Sequence, residues 1–235
     1  MKIDRAAASR VWHGVLALIV FASLITQITL TATRGGEPAV TRFERLFSYF
    51  TIQSNLLLLA AIAALTVNPH RDGRLWRIVR LDALLGIVIT GIVYSTILAG
   101  QSNPQGAAWW ADLGFHYIAP WTALAGWLFF GPHRRIDART LAWASVWPLL
   151  WITWTLAHGA ATDWYPYPFT DVSRWGYPAV LINLGVVVLI AVLLGAALRL
   201  LDTRLPGGSP AAPEAPAAVV AISGSAAESE TPRVT

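Results

Sequence analysis

Apolar residues in this chain gather into six long blocks, at about 13–32, 46–67, 82–99, 113–130, 141–159 and 178–201, separated by shorter polar stretches. At about 1.5 Å of rise per residue each block predicts a helix of roughly 27–36 Å, the length that crosses a bilayer. The pattern therefore predicts an all-α fold, a six-helix transmembrane bundle occupying a single domain, 1–205. Pro, Ala, Gly, Ser and Glu dominate 206–235, which reads as a disordered tail. Lys2, Arg5 and Arg10 precede the first block as they would in a signal peptide. Its apolar core from Val15 to Leu30 is longer than a usual signal core and no small-x-small cleavage site precedes Arg34, so the block is read as a retained helix.

Composition strengthens the membrane reading: 55% of residues are hydrophobic, 13% are charged and mean hydropathy is +0.53. Charge then orients the bundle. Lys2, Arg5, Arg10, Arg71, Arg74, Arg77, Arg80, Arg134, Arg135, Arg139, Arg199 and Arg204 fall on one side of a six-span topology, against Arg34, Arg42, Arg45 and Arg174 on the other. The richer side is expected to be cytoplasmic, with both termini inside and the chain multi-pass in the cytoplasmic membrane. The net charge of +4 calls for no nucleic acid, because the basic residues flank helices and anionic phospholipids at the cytoplasmic face suffice as partners. With no cysteine, thiolate chemistry and disulfides are excluded.

Polar residues within the blocks concentrate toward the outer side. Thr51, Ser54 and Asn55 share one face of the second helix at i, i+3 and i+4, with Thr51 about 8 Å from its outer end. His116 lies about 5 Å from the outer end of the fourth helix. Tyr94, Ser95 and Thr96, then Thr155 and His158, then Asn183 bring further polar groups to that side. A plainer account competes: membrane Ser and Thr often bond the carbonyl three or four residues back, and Asn and His join helices. A shared depth favours a working site.

A threonine hydroxyl becomes a nucleophile when a base takes its proton, and neutral histidine is the natural base. Thr51 and His116 thus form a candidate acyl-transfer dyad. Ser54 and Asn55 are candidate oxyanion donors, and His158, Asp163 and Asp171 are candidates to orient the imidazole, with Asn183 a further support. Arg42, Arg45 and Arg174 are candidates for a substrate carboxylate. The aromatic and proline-rich run after the fifth block, with Trp164, Tyr165, Tyr167, Phe169 and Asp171, reads as a lid or an interfacial belt. Pro120 and Pro148 are expected to kink their helices and widen the outer half.

Phe50-Thr51-Ile52-Gln53-Ser54-Asn55, His116-Tyr117-Ile118-Ala119-Pro120 and Trp164-Tyr165-Pro166-Tyr167-Pro168-Phe169-Thr170-Asp171-Val172 with Gly176-Tyr177 resemble a known pattern. It is that of the bacterial six-pass membrane proteins related to the androgen-induced and androgen-dependent proteins of animals, and it covers about residues 10–200. The animal members are membrane threonine hydrolases of fatty acid esters of hydroxy fatty acids. The resemblance implies Thr51 as nucleophile and His116 as its base, a membrane lipid or long-chain ester as substrate, and no cofactor.

Two other functions fit the same residues. A small-molecule or lipid transporter or sensor would use the polar layer as a cavity and continue it through the inner leaflet. A metal-dependent membrane hydrolase would gather His116, His158 and Asp163 around zinc. Small residues such as Gly185, Ala191, Gly195 and Ala196 permit close helix contacts within or between chains, which leaves the oligomeric state open.

Overall fold

The computed structural model describes residues 4–206, so the expectation of a disordered tail falls outside the described residues apart from Pro206. The chain is helical throughout this range: α1 Arg5–Thr33, α2 Ala39–Ser48, α3 Phe50–Val67, α4 Arg74–Val93, α5 Ala107–Leu113, α6 Ala119–Phe130, α7 Ala138–Ala144, α8 Val146–Thr162 and α9 Val172–Arg204. Short 3-10 turns occur at Ala99–Gln101 and Pro168–Thr170. Two π-helical turns interrupt the regular winding, Tyr94–Leu98 at the end of α4 and Gly114–Ile118 between α5 and α6.

Among the described residues four helices are long and apolar enough to cross a bilayer: Arg5–Thr33, Phe50–Val67, Arg74–Gln101 (α4 with its continuation) and Val172–Arg204. This is the architecture of a polytopic membrane protein. α1 shows why. Ser9, His13, Leu16, Val20, Ser23 and Leu24 line its buried stripe, while Val11, Val15, Leu18, Phe21 and Ile25 stay exposed. Apolar residues on both faces suit a helix packed on one side and bathed in lipid on the other.

The six uninterrupted blocks expected from hydropathy are corrected in three places. The block at 46–67 is two helices that part at Tyr49, whose φ of −69° and ψ of 127° are extended. The block at 113–130 is α5, a π turn and α6. Pro120 cannot donate to the carbonyl of His116 and its ring crowds that carbonyl, so the preceding turn widens. The block at 141–159 parts into α7 and α8 at Ser145, and Pro148 then stands in the first turn of α8, where a missing N–H is harmless. Within α9, Gly176 at φ 72° bends the chain just ahead of Pro178, where the expected block begins.

α1, α3, α4 and α6 enclose the main core, with Leu16, Val20, Leu58, Ile87, Val88 and Ala119 almost wholly buried. Close approach depends on missing side chains. A Cβ on Gly91 would come within 2.7 Å of Pro120, and one on Gly86 within 2.9 Å of the Trp147 ring and 3.0 Å of the Ser54 hydroxyl. Alanine at Gly91 would therefore push α4 off α6 beneath the outer polar layer.

Candidate functional site

The site begins with the break at Tyr49. Carbonyls at the end of α2 find donors from elsewhere: Trp151 Nε1 donates to Ser48 O at 2.9 Å and Gln53 Nε2 to Phe47 O at 2.8 Å. Trp154 Nε1 also donates to the Ser48 hydroxyl at 3.2 Å. These bonds let α2 stop and α3 restart at Phe50, which places Thr51 in a first turn where helical amides lack intrahelical partners.

That restart decides what Thr51 can do. Ser23, Thr26, Ser48, Thr66, Thr96, Thr153 and Thr162 each donate to the carbonyl four residues back, as hydroxyls in membrane helices commonly do. For Thr51 that carbonyl would belong to Phe47, which lies across the break and is taken by Gln53. The Thr51 hydroxyl instead stands 3.2 Å from the Tyr167 hydroxyl and 3.5 Å from His116 Nε2. The second distance is at the outer limit of a hydrogen bond.

His116 is held from behind. Its Nδ1 lies 3.0 Å from Asp112 Oδ1, one helical turn earlier, and 3.2 Å from the Asp112 carbonyl. A proton on Nδ1 satisfies both acceptors and leaves Nε2, the nitrogen facing Thr51, as an acceptor. Tyr94 donates to Asp112 Oδ2 at 2.8 Å, and its ring stacks on the imidazole with centroids 3.7 Å apart and planes 9° from parallel. Tyr94 and His116 each sit in a π-helical turn, an irregularity often found at functional sites.

Tyr167 closes the other side. Its hydroxyl accepts the Thr51 N–H at 3.1 Å, and its ring is wedged among Tyr49, Trp151 and Phe169. Burial pushes the phenol up to about 12, with the bonds from Thr51 pulling the other way, so the O–H keeps its proton at neutral pH. Thr170 fixes the loop by donating from both its N–H and its hydroxyl to the Tyr167 carbonyl. An open recess of about 700 Å³, lined by Tyr94, Ser102, Trp109, Trp110 and Asp112, reaches the far side of the carboxylate that holds His116.

The other residues anticipated from sequence have separate partners. Asn55 Nδ2 donates to the Thr51 carbonyl at 2.8 Å rather than toward the hydroxyl. Among the described residues Asn55 Oδ1, Ser54 Oγ, Thr90 Oγ1 and Thr155 Oγ1 are buried without a partner. His158 pairs with Glu44 at 2.9 Å and stacks on Trp154. Asp163, at φ 54°, ends α8 through its N–H to Gly159 O, and Asp171 caps the start of α9. Asn183 donates to Phe169 O at 3.0 Å. The orienting partner of His116 is therefore Asp112, in place of His158, Asp163 or Asp171.

Of the three arginines, Arg42 donates to Thr31 O and Ala32 O at the end of α1, Arg45 pairs with Glu37 and lies over Trp164, and Arg174 lies over Trp175. Trp164 also packs edge-on to Tyr49, and the Tyr165 ring fills the space a Cβ on Gly159 would need. Among the described residues no three His, Asp or Glu side chains gather as metal ligands, and His116, His158 and Asp163 do not come together.

Sequence reasoning missed Asp112, which stands one residue ahead of the block at 113–130. Its spacing of four from His116 on a helix was the available signal. Fold and site together define a helical membrane protein with a carboxylate, an imidazole and a hydroxyl in line under an aromatic loop. No protein-family model, curated protein or solved structure matches the chain.

Proposed function

We propose that this chain is a six-pass membrane hydrolase that cleaves lipid esters with Thr51 as nucleophile and His116 as general base. The observation that carries the proposal is the Thr51 hydroxyl itself. It is released from its helix by the break at Tyr49 and faces His116 Nε2, while Asp112 holds Nδ1.

The reaction follows from that alignment. As Thr51 Oγ1 bonds to the ester carbonyl carbon, its proton passes to Nε2 and the carbonyl electrons move to oxygen. The Tyr167 O–H is placed to donate to this oxyanion, joined by the Thr51 N–H once the phenol yields it. Collapse breaks the bond to the alcohol oxygen, which leaves with the proton from Nε2. Water then gives a proton to Nε2 and attacks the acyl carbon; the bond to Oγ1 breaks, the proton returns to Thr51, and a carboxylic acid departs. Ser54 and Asn55, one turn along the same face, retain open hydrogen-bonding capacity suited to holding that water. Asp112 orients the imidazole and stabilises its charged form.

Fatty acid esters of hydroxy fatty acids are the substrate class in this reading, on the strength of the resemblance carried by Phe50–Asn55, His116–Pro120 and the Trp164–Val172 run. Among the described residues four helices have the length and apolarity to cross the bilayer. In this reading the interrupted columns α5–α6 and α7–α8 are the other two crossings, and the bias of basic residues orients the arginine-rich end and both termini to the cytoplasmic face of the inner membrane. A transporter would need polar groups through the middle of the bundle, where Leu16, Val20, Leu58, Ile87 and Val88 are packed.

Purified protein should hydrolyse a long-chain ester, and Thr51→Ala and His116→Ala should each lose about a thousandfold or more in kcat with an unchanged melting temperature. Thr51→Ser should keep measurable turnover. Full activity in either alanine variant removes that residue from the mechanism.

A further inference from the structure

At the opposite end from Thr51, a cavity of about 60 Å³ lies between α1, α3, α4, α6 and the turn after α6. His13, Arg77, Arg80, Trp127 and Arg135 line it together with an apolar wall that includes Leu65. That volume is on the scale of two liquid waters, room for one small polar group. The three guanidiniums differ in what neutralises them. Arg77 donates twice to Asp72, each bond 2.8 Å, and Arg135 pairs with the same carboxylate. Arg80 donates Nη2 to the Gly131 carbonyl at 3.0 Å, and among the described residues it has no carboxylate within ion-pair distance. Asp137 caps α7 near Arg77, and Asp202 is a further acid at this end. Its Oδ2 accepts the amides of Arg135 and Ile136 at 2.6 and 2.8 Å, and its Oδ1 has no partner among the described residues.

Among the described residues Arg80 is thus the one guanidinium of the three without a carboxylate partner or acidic side chain in direct contact. The cation left over projects from a helix into the wall of an apolar cavity, where an uncompensated charge is expensive. A planar guanidinium fork beside a small cavity suits an oxyanion, which two N–H groups can bind side by side. His13 turns its Nδ1 to the Ser9 carbonyl at 2.8 Å, which puts its second nitrogen on the cavity side without adding a fixed charge. α4 begins only six residues before Arg80, so the cavity lies near one end of a span, at the depth of lipid phosphates rather than mid-bilayer.

We infer that this cavity binds one singly charged oxyanion, with Arg80 as its principal ligand, and that an acidic lipid headgroup or free phosphate supplies it. The site is independent of ester hydrolysis. It rests on an unpaired guanidinium in a cavity at the other end of the bundle.

The test uses the full chain in nanodiscs of phosphatidylcholine, with or without phosphatidylglycerol, and native mass spectrometry to count retained lipid. A parallel arm adds inorganic phosphate to the phosphatidylcholine discs and reads melting temperature. Wild type should retain phosphatidylglycerol selectively, and Arg80→Gln should reduce that retention by at least about fivefold. Arg74→Gln removes the same charge from an exposed position on α4 and should leave retention intact. Arg80→Lys keeps the charge without the fork and should retain part of it, which guards against a folding defect in the glutamine variant. Stabilisation of wild type but not Arg80→Gln by inorganic phosphate, without lipid selectivity, supports the site and names free phosphate as its source. Equal responses of wild type and Arg80→Gln in both arms overturn the inference.

Discussion

Both ends of the bundle bury polar side chains, and they use them in opposite ways. At the arginine-rich end, charge fastens chain to chain: Asp72 joins the loop before α4 to the turn after α6 through Arg77 and Arg135, and Asp202 ties α9 to the same turn. At the Thr51 end no such staple reaches the central hydroxyl. Tyr94, Asp112, His116 and Thr51 form a directional series in which each group fixes the next, and the last oxygen meets the imidazole and the Tyr167 hydroxyl rather than its own backbone. Polarity that consumes its own hydrogen-bonding capacity holds the fold together, whereas the Thr51 hydroxyl, spared its own backbone, is the group that the proposed hydrolysis uses. Elsewhere in the membrane helices Ser23, Thr66 and Thr153 mark the first behaviour on a smaller scale, each spent on its own backbone.

The contrast is broken most sharply at Asp112. If the series works as a unit, Asp112→Asn should lower kcat about 10²–10⁴-fold with little change in KM and a melting temperature close to wild type, because an amide can no longer hold the Nδ1 proton in place. A large fall in melting temperature with ordinary kcat would move Asp112 to the structural side.

A smaller effect is expected at Tyr167. Tyr167→Phe keeps the ring among Tyr49, Trp151 and Phe169 and removes only the hydroxyl over Thr51. A loss of about a hundredfold in kcat fits an oxyanion donor. A gain in turnover would instead make the phenol a plug that the ester must displace.

At the other end the effect should be on stability alone. Arg77 first, with Arg135, holds the Asp72 carboxyl well below the usual carboxylate range. A carboxyl lowered by folding contributes stability above its unfolded value of about 3.9 and loses that contribution as pH falls through the folded one. Asp72→Asn should therefore destabilise by about 0.5–1 kcal/mol at neutral pH, since the pair is partly solvent-exposed. The deficit should shrink as the medium is acidified below about pH 4, with kcat at neutral pH equal to that of wild type. Melting curves from pH 7 to pH 3 check this, and a deficit that persists in acid would mean Asp72 acts through something other than its charge.

How far these two ends could be read from sequence depends on the range of the interactions that build them. Helical periodicity and chemistry put Thr51 and His116 at one depth, and the structure brings their side chains together. Hydropathy also found the apolar stretches, but could not see that three of them are interrupted, and at two of these Pro120 and Pro148 act on backbone geometry rather than on polarity. The break at Tyr49 has no proline or glycine to announce it. It is held by tryptophan donors from α8, about a hundred residues away, and Tyr167 arrives over Thr51 across a similar separation. Asp112 was within reach of local reasoning, at four residues from His116, and was hidden only by placing the start of that helix at 113 when it begins at Ala107.

The claim on which the rest depends is that an acyl group passes through Thr51. Brief mixing with an activated long-chain ester, acid quenching and peptide mass mapping would locate it. An acyl adduct is expected on Thr51 in wild type, none in Thr51→Ala, and markedly slower formation in His116→Ala. An adduct on another residue, or undiminished ester turnover in Thr51→Ala, would contradict it.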